Sequence, residues 1–284
     1  MSVLIFGAGF LGRRLLASLE GARLDEADIA DAAQVARALD EHRPEVVINA
    51  AGKTGHPNVD WCEDHVEETV RSNTIGPIVL AEACARRGVH LLHFGSGCIF
   101  YGPSPSPGGW REDDFANPVS RYSRSKYAAD LALADRPGVA IVRIRMPIDP
   151  APGPRNLLTK LARYPVVADV ENSITVVEDL LAVVAGLVER RASGVFHATN
   201  PGTMRHAELL ELYRRHVDPA HRYTLVGEEE LAARGLVRLR RSNCTLADRN
   251  LAALGLTLRP VRQAVEEAVR AYAIAFRASA GGVV

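Results

Sequence analysis

Val3-Leu4-Ile5-Phe6-Gly7-Ala8-Gly9-Phe10-Leu11-Gly12 is the stretch that decides the fold. Four consecutive apolar residues run straight into a GxGxxG and then into a helical pattern over Gly12–Glu20. A run apolar on every residue suits a strand covered on both faces, as in a parallel sheet. The glycines let the turn close, let the backbone approach a pyrophosphate, and let the helix pack on the strand. Free N–H groups at that helix N-terminus then face the phosphates. A tight structural turn is the plainer reading of a lone GxGxxG, but strand before and helix after is the context a dinucleotide site requires.

The same alternation continues outward. Val46–Asn49, Leu91–Phe94 and Ala140–Ile144 read as buried strands, and Ala32–His42, Val66–Arg87 and Tyr122–Asp135 as helices between them. Strand–helix alternation predicts βαβ units, hence an α/β fold with a Rossmann-like doubly wound parallel sheet. Asp31 is placed to cap the second helix, and Gly88 to follow the third in a left-handed conformation. Tyr101–Pro118 contains GPSPSPGG and reads as a long loop, a feature more often functional than idle. The Pro/Gly cluster Pro147–Pro154 marks an exit from the sheet. Residues 1–146 are therefore expected to form the dinucleotide-binding domain, with 167–200 returning to it. Residues 147–166 and 201–284 are expected to form a smaller α/β substrate-binding part; after the Pro/Gly cluster the sequence reads as helices near Leu157–Tyr164, Val177–Arg191, His206–His216 and Val261–Phe276 and a strand at Gly194–Ala198.

Composition excludes several classes. The 284 residues are 47% hydrophobic and 24% charged, enough to bury about 75% of the unfolded surface in an ordinary globular core. Lys+Arg and Asp+Glu both number 34, so no net field draws nucleic acid or an anionic membrane. No apolar run approaches the roughly 20 residues of a membrane span. Met1-Ser2 leads directly into the first strand without a signal-peptide pattern. Cys62, Cys84, Cys98 and Cys244 form no CxxC, and the nine histidines show no ligand spacing, so no metal site is predicted. Reduced cysteines in the cytoplasm follow.

Further segments fall where a dinucleotide must lie. Asn49-Ala50-Ala51-Gly52 ends a strand in small residues that let an adenosine ribose approach the backbone. Asp28-Ile29 precedes the second helix, where a carboxylate can reach the adenine end. Asp25 is positioned for a ribose 2′-hydroxyl, while Arg13 and Arg14 suit a 2′-phosphate, so the cofactor is NADPH or NADH. Tyr122-Ser-Arg-Ser-Lys126 places a phenol and an ammonium one turn apart on one helix face. A nearby ammonium stabilises tyrosinate and brings the phenol toward useful acidity. The phenol can then protonate a carbonyl oxygen as hydride reaches carbon, and Ser96 can hydrogen-bond the same oxygen.

This set resembles the extended short-chain dehydrogenase/reductases and, within them, the dTDP-4-dehydrorhamnose reductases. Asn49–Glu63 (NAAGKTGHPNVDWCE), Gly97–Phe100 (GCIF), Arg145–Ile148 (RMPI), Pro154–Tyr164 (PRNLLTKLARY), Thr199–Gly202 (TNPG) and Arg241–Asn243 (RSN) are similar to the nucleotide-rhamnose epimerase-reductases, including the C-terminal half of plant UDP-rhamnose synthases. The chain departs from that family at Ala8-Gly9, often Thr-Gly after Lys, and at Ser96, often Thr. The resemblance implies inversion of C3 and C5 and reduction of C4 in an NDP-4-keto-6-deoxyglucose, with UDP or dTDP as carrier, giving NDP-L-rhamnose. It implies Ser96, Tyr122 and Lys126 as the reductase residues. Gly7, Gly9, Phe10, Leu11, Gly12, Asp28, Ile29, Asn49, Ala50, Ala51, Gly52 and Thr54, with Tyr122 and Lys126, would hold the cofactor.

Inversion needs a second acid/base pair, because C3 and C5 are acidic only through the C4 ketone. Cys98, just past Ser96, and Lys160, in the helix after the Pro/Gly cluster, fit the family pattern for it. Reference pKa values of about 8.5 and 10.4 must come toward 7 for that task. A buried hydrophobe and a solvated amine are the plainer readings of the two residues. Asn156, Arg155 and Arg241 are expected near the substrate's nucleotide and diphosphate, since arginine meets phosphate bidentately. The partner is a nucleotide-diphosphate 4-keto-6-deoxy sugar. Excess apolar residues on Val66–Arg87 predict a homodimer. Two other readings stay open: a 4-ketoreductase without epimerase activity, and a non-catalytic dinucleotide-binding regulatory subunit.

Overall fold

The computed structural model describes residues 1–56 and 58–280. Pro57, within the family-like stretch 49–63, and residues 281–284 of the expected C-terminal part lie outside the described residues. The strands in chain order are β1 (Val3–Phe6), β2 (Arg23–Asp25), β3 (Val46–Asn49), β4 (His90–Ser96), β5 (Val139–Ile144), β6 (Pro147–Ile148), β7 (Val166–Ala168), β8 (Glu171–Val176), β9 (Gly194–His197), β10 (Asn200–Arg205) and β11 (Thr224–Val226). Six of them form one sheet in the order β2-β1-β3-β4-β5-β9, every pairing parallel. The fold class expected from the first twelve residues is the one observed.

The helices are α1 (Phe10–Ser18), α2 (Ala32–His42), α3 (Trp61–Asp64), α4 (Val66–Val70), α5 (Gly76–Ala85), α6 (Arg121–Leu133), α7 (Leu157–Leu161), α8 (Val177–Arg190), α9 (His206–His216), α10 (Glu228–Ala233), α11 (Arg249–Ala253) and α12 (Val261–Ala280). Alternation along β1 sends Val3 and Ile5 to one face, against Leu15 of α1 and Leu180, Val183 and Leu187 of α8. Leu4 and Phe6 go to the other, against Val35 and Leu39 of α2, Leu80 of α5 and Leu133 of α6. Each such side chain, fully buried, contributes roughly 1.5–3 kcal/mol of transfer free energy. Both faces are therefore sealed, and only the strand ends stay open for chemistry.

Two small sheets, β10-β8-β6 and β11-β7, lie outside the large one. Their core joins Ile148, Leu158, Ile174, Val176, Leu209, Leu210, Val265 and Tyr272, drawn from β6, α7, β8, α9 and α12. The long loop 101–118 is pinned: Trp110 stacks on Phe100 at 4.8 Å, donates from its ring to the Gly102 carbonyl at 3.0 Å, and bonds through its backbone to Thr245 and Ala247.

Two local signals were legible. Asp31 caps α2 by accepting from the Ala33 and Gln34 N–H groups, and Gly88 has φ +66°. One expectation fails. Val66–Arg87 is not a single helix, because Arg71–Ile75 forms a π turn between α4 and α5. Pro77, in the first turn of α5, has no N–H to return to the carbonyl four residues earlier, and the chain widens there instead.

Candidate active site

Among the described residues, the polar groups gather at the C-terminal ends of β1, β3 and β4, where α6 and α7 approach. Gly7 has φ +102°, and a Cβ on it would stand 2.5 Å from the Ala51 nitrogen. A Cβ on Gly12 would stand 1.9 Å from the Gly7 carbonyl oxygen. These two glycines are required by strand, turn and helix packing. Gly9 is different: a Cβ there would meet no protein atom within 4 Å. The space over Gly9 is open, and no side chain caps α1 or brings an acid to its first turn. An uncapped helix N-terminus under open space fits a dinucleotide diphosphate.

Around it, Asn49 is fully buried and Ala50, Ala51 and Gly52 follow at the strand end. Phe10 and Leu11 are half-buried, Leu11 against the core. Asp25 ends β2 and accepts from the Ala27 N–H at 2.8 Å, with His42 at 3.2 Å. Arg14 donates to buried Asp149 at 2.7 Å and Arg13 to the Ala8 carbonyl at 2.9 Å, so both guanidinium groups are engaged. Asp28 accepts from Arg71 at 2.8 Å, and Ile29 is buried under Gly76. Thr54 accepts from Arg155 at 2.5 Å, and the Gly55 carbonyl accepts from the same guanidinium at 2.8 Å.

Ser96 ends β4 and opens the turn Gly97–Ile99, its hydroxyl accepting from the Cys98 N–H at 3.1 Å. Ser120 caps α6 and so sets the phase of Tyr122 and Lys126 on it. Lys126 donates from Nζ to the Phe94 carbonyl at 2.6 Å and lies 3.3 Å from His93 Nε2. The Ala51 N–H, a fixed donor, faces Asn49 Oδ1 at 3.1 Å, so Asn49 Nδ2 points at His93 Nδ1 at 3.0 Å. Burial, then Lys126, hold His93 well below the usual histidine range, so the ring is neutral. Burial likewise lowers the Lys126 amine to about 8.

This differs from the sequence expectation for Tyr122. Burial first, and then charge at Cys98, push the phenol up rather than down, while Ser96 opposes the shift. The ammonium expected to act on it is turned toward Phe94 and His93. Tyr122 therefore keeps its proton, the form in which it can give one away.

The buried amine makes a stability prediction with a definite sign. A lysine lowered from 10.5 to about 8 is charged in the unfolded chain and neutral in the folded one between those values, which costs up to about 3 kcal/mol below pH 8. That cost disappears as pH rises toward 10.5. Wild type should therefore gain stability relative to Lys126→Met between pH 7.5 and 10 in urea unfolding of the cofactor-free protein. A gap that does not change with pH would contradict the burial account.

Lys160 of α7 has its amine lowered by burial and then by Arg155, against an opposing pull from Cys98. The Cys98 sulfur accepts from Arg145 Nη1 at 3.2 Å. Arg155 lies across Thr54 and Gly55, bridging α7's N-terminal side to the loop after β3. Arg241 is paired with both Asp60 carboxylate oxygens at 2.7 Å. Asn156 is fully buried: it caps α7 through the Leu158 N–H and donates to the Asp149 and Ala151 carbonyls. Its polar atoms are used within the protein, so it shapes α7 rather than presenting an amide to a ligand.

Sequence reasoning missed three residues. Asn73, on the π turn, accepts from the Lys53 N–H at 2.8 Å and donates to the Lys53 carbonyl and Ser125 hydroxyl. It fixes the loop after β3 against α6, and Pro77 was the available signal. His93 was hidden in an apolar strand run, and Arg145, though it opens the family-like stretch Arg145–Ile148, was given no role there.

A nucleotide-binding parallel sheet, an open glycine turn and a Tyr-x-x-x-Lys helix beside a serine define an extended short-chain dehydrogenase/reductase. The chain belongs to the RmlD substrate binding domain family, whose model matches residues 1–274. Its relatives include the bifunctional dTDP-4-dehydrorhamnose 3,5-epimerase/dTDP-4-dehydrorhamnose reductase of Arabidopsis thaliana, 40% identical over 68% of this chain and 66% of the relative. A trifunctional Arabidopsis thaliana protein, UDP-glucose 4,6-dehydratase/UDP-4-keto-6-deoxy-D-glucose 3,5-epimerase/UDP-4-keto-L-rhamnose-reductase RHM1, is 39% identical over 67% of this chain and 29% of the relative. The matches thus span two thirds or less of these relatives. Among solved structures, the L780 UDP-rhamnose synthase of Acanthamoeba polyphaga mimivirus superposes with TM-score 0.89 at 29% identity, covering 95% of this chain and 99% of that one. The Bacillus anthracis dTDP-4-dehydrorhamnose reductase, solved with NADP, superposes with TM-score 0.80 at 22% identity over 96% and 97% of the two chains, which supports the fold alone. No described helix is long and apolar enough to cross a membrane.

Proposed function

We propose that the chain is an NADPH- or NADH-dependent 3,5-epimerase/4-reductase that converts an NDP-4-keto-6-deoxyglucose, carried on UDP or dTDP, to NDP-L-rhamnose. The observation that supports this reading is that Cys98, in the turn after β4, lies close to Ser96, to Tyr122 of α6 and to Lys160 of α7. Ser96 and Tyr122 stand together, and Cys98 is near enough for its charge to act on both Tyr122 and Lys160. A plain ketoreductase has no use for an acid/base pair at Cys98 and Lys160.

In this reading Cys98 removes a proton from the carbon beside the C4 ketone, and Lys160 returns one from the opposite face. Ser96 holds the C4 oxygen during enolisation and again during reduction. The nicotinamide, when bound, supplies hydride to C4. Tyr122 delivers its proton to the oxygen that gains charge, and Lys126 stands one turn along to restore it. Asn49 and His93 fix where the Lys126 amine sits. Arg155 and Arg241 are proposed to turn from Thr54 and Asp60 toward the substrate diphosphate. Incubation with each NDP-4-keto-6-deoxyglucose and NADPH tests the reading, with NDP-L-rhamnose as the expected product. Accumulation of an unepimerised C4 alcohol would leave only the 4-ketoreductase.

The homodimer is part of the proposal. Val70 of α4, Ile75 of the π turn and Leu131 of α6 stay exposed at 38%, 44% and 58%. Burial against a second copy would remove that apolar surface from water. Sedimentation at micromolar concentration should give twice the chain mass, and a monomer throughout would argue against the pairing.

A further inference from the structure

Arg145 follows β5 and is among the largest fully buried side chains of the protein. Arg143, two residues earlier, is paired with Asp130 at 2.8 Å. Arg145 makes no such pair with a carboxylate among the described residues. A guanidinium has five N–H donors, and all five are placed. Nε and Nη2 reach Asn172 Oδ1, Nε at 3.2 Å. Nη2 also donates to the Ser242 carbonyl at 2.5 Å, and Nη1 to the Ser242 hydroxyl at 3.0 Å. The last N–H, on Nη1, ends on the Cys98 sulfur at 3.2 Å.

The four oxygen contacts solvate the cation but do not neutralise it. Asn172 and the Ser242 carbonyl are neutral, and the Ser242 hydroxyl gives its own hydrogen to the Phe100 carbonyl at 2.5 Å. A buried charge without a counter-charge is costly, so an anion is needed within reach. Three groups near Arg145 can become negative: Cys98, Cys244 and Tyr101. Cys244 points its thiol at the Gly97 carbonyl at 3.4 Å, and burial pushes it up. Tyr101 shares its hydroxyl with Ser120 and Ser123. Among the described residues, Cys98 is the one of these three that accepts a hydrogen bond directly from the Arg145 guanidinium.

The backbone holds the guanidinium in place. The Arg145 N–H donates to the Thr175 hydroxyl at 3.0 Å, and its carbonyl accepts from the Thr175 N–H at 2.8 Å. The next residue, Met146, sits at φ +44°, a left-handed conformation that strains a non-glycine residue. Pro147 then fixes the turn into β6.

We propose that Arg145 is the positioning residue of the epimerase half-site, holding negative charge on the Cys98 sulfur. This rests on the epimerase reading above and names what makes its base. The Cys98 thiolate takes the proton from C3 or C5, the C–H electron pair passes into the enolate, and the sulfur becomes a thiol. Lys160, as ammonium, gives its proton to the opposite face and becomes an amine, and exchange with water resets both. Arg145 keeps its charge throughout. The groups facing Cys98 are Arg145 after β5, Tyr122 of α6, Lys160 of α7 and Cys244, and of these only Arg145 is a cation in contact with the sulfur.

The test is alkylation of the full-length protein by iodoacetamide, with the Cys98 adduct followed by peptide mass spectrometry. Arg145→Gln should slow Cys98 alkylation at pH 7 at least tenfold and displace its pH profile upward, and Arg145→Lys should recover part of the loss. Equal rates in folded Arg145→Gln and wild type would overturn the proposal. If Arg145→Gln does not fold, Cys98→Asp and Cys98→Ala replace it. Asp supplies a fixed anion, so Cys98→Asp should melt above Cys98→Ala, and the reverse order would overturn the pairing. Alkylation involves no sugar. Slowed alkylation in a protein whose wild type exchanges no sugar proton would therefore remove the epimerase reading and leave the ion pair standing.

Discussion

Tyr122→Phe should lower the rate of 4-keto reduction by a factor on the order of 10²–10⁴, the contribution of a positioned general acid. Burial and the charge at Cys98 keep the Tyr122 proton in place, and in the proposed reduction the developing C4 alkoxide is the base that takes it. Phenylalanine keeps the ring and its packing but has no proton to give. Cofactor affinity, measured by fluorescence titration, should change little, because the proposed diphosphate cradle at Gly7, Gly9 and Gly12 is untouched. Turnover close to wild type would reject Tyr122 as the donor.

Cys98→Ala and Lys160→Ala should each abolish solvent deuterium entry at C3 and C5 of the 4-keto sugar, again a loss on the order of 10²–10⁴. The same variants should still reduce a keto sugar supplied already epimerised, since Ser96, Tyr122 and Lys126 remain. The separation follows from the proposed roles, in which Ser96 and Tyr122 address the C4 oxygen and Cys98 and Lys160 the carbons beside it. Normal exchange in both variants would keep the reaction and discard the residues.

The sheet was legible from Val3–Gly12 because an all-apolar strand, a glycine turn and a helix constrain one another. The caps of α2 and α6 follow from local hydrogen-bond chemistry, though only Asp31 was singled out. Helix α4–α5 was misread because apolar periodicity tolerates one extra residue in a turn, and Pro77 was outweighed by its neighbours. Tyr122 and Lys126 were singled out by spacing, but the direction of the phenol's shift was not legible from it. That direction depends on how deeply the ring is buried and where the Lys126 amine turns, neither of which a spacing of four encodes. Asn156 was assigned to a ligand where the fold uses it as a cap. Arg145 follows β5 and meets Cys98, 47 residues away in sequence, only through the packing of the segment after β5 against the turn after β4.

The central claim is that one strand end enolises the sugar as well as reducing it. Wild-type protein incubated in deuterium oxide with an NDP-4-keto-6-deoxyglucose and no NADPH tests it most directly, because enolisation needs the base but not the hydride. Proton magnetic resonance should show the C3 and C5 signals disappearing while the 4-ketone is still present. Retention of both protons, in protein that reduces a keto sugar once NADPH is added, would show a 4-ketoreductase and contradict the account.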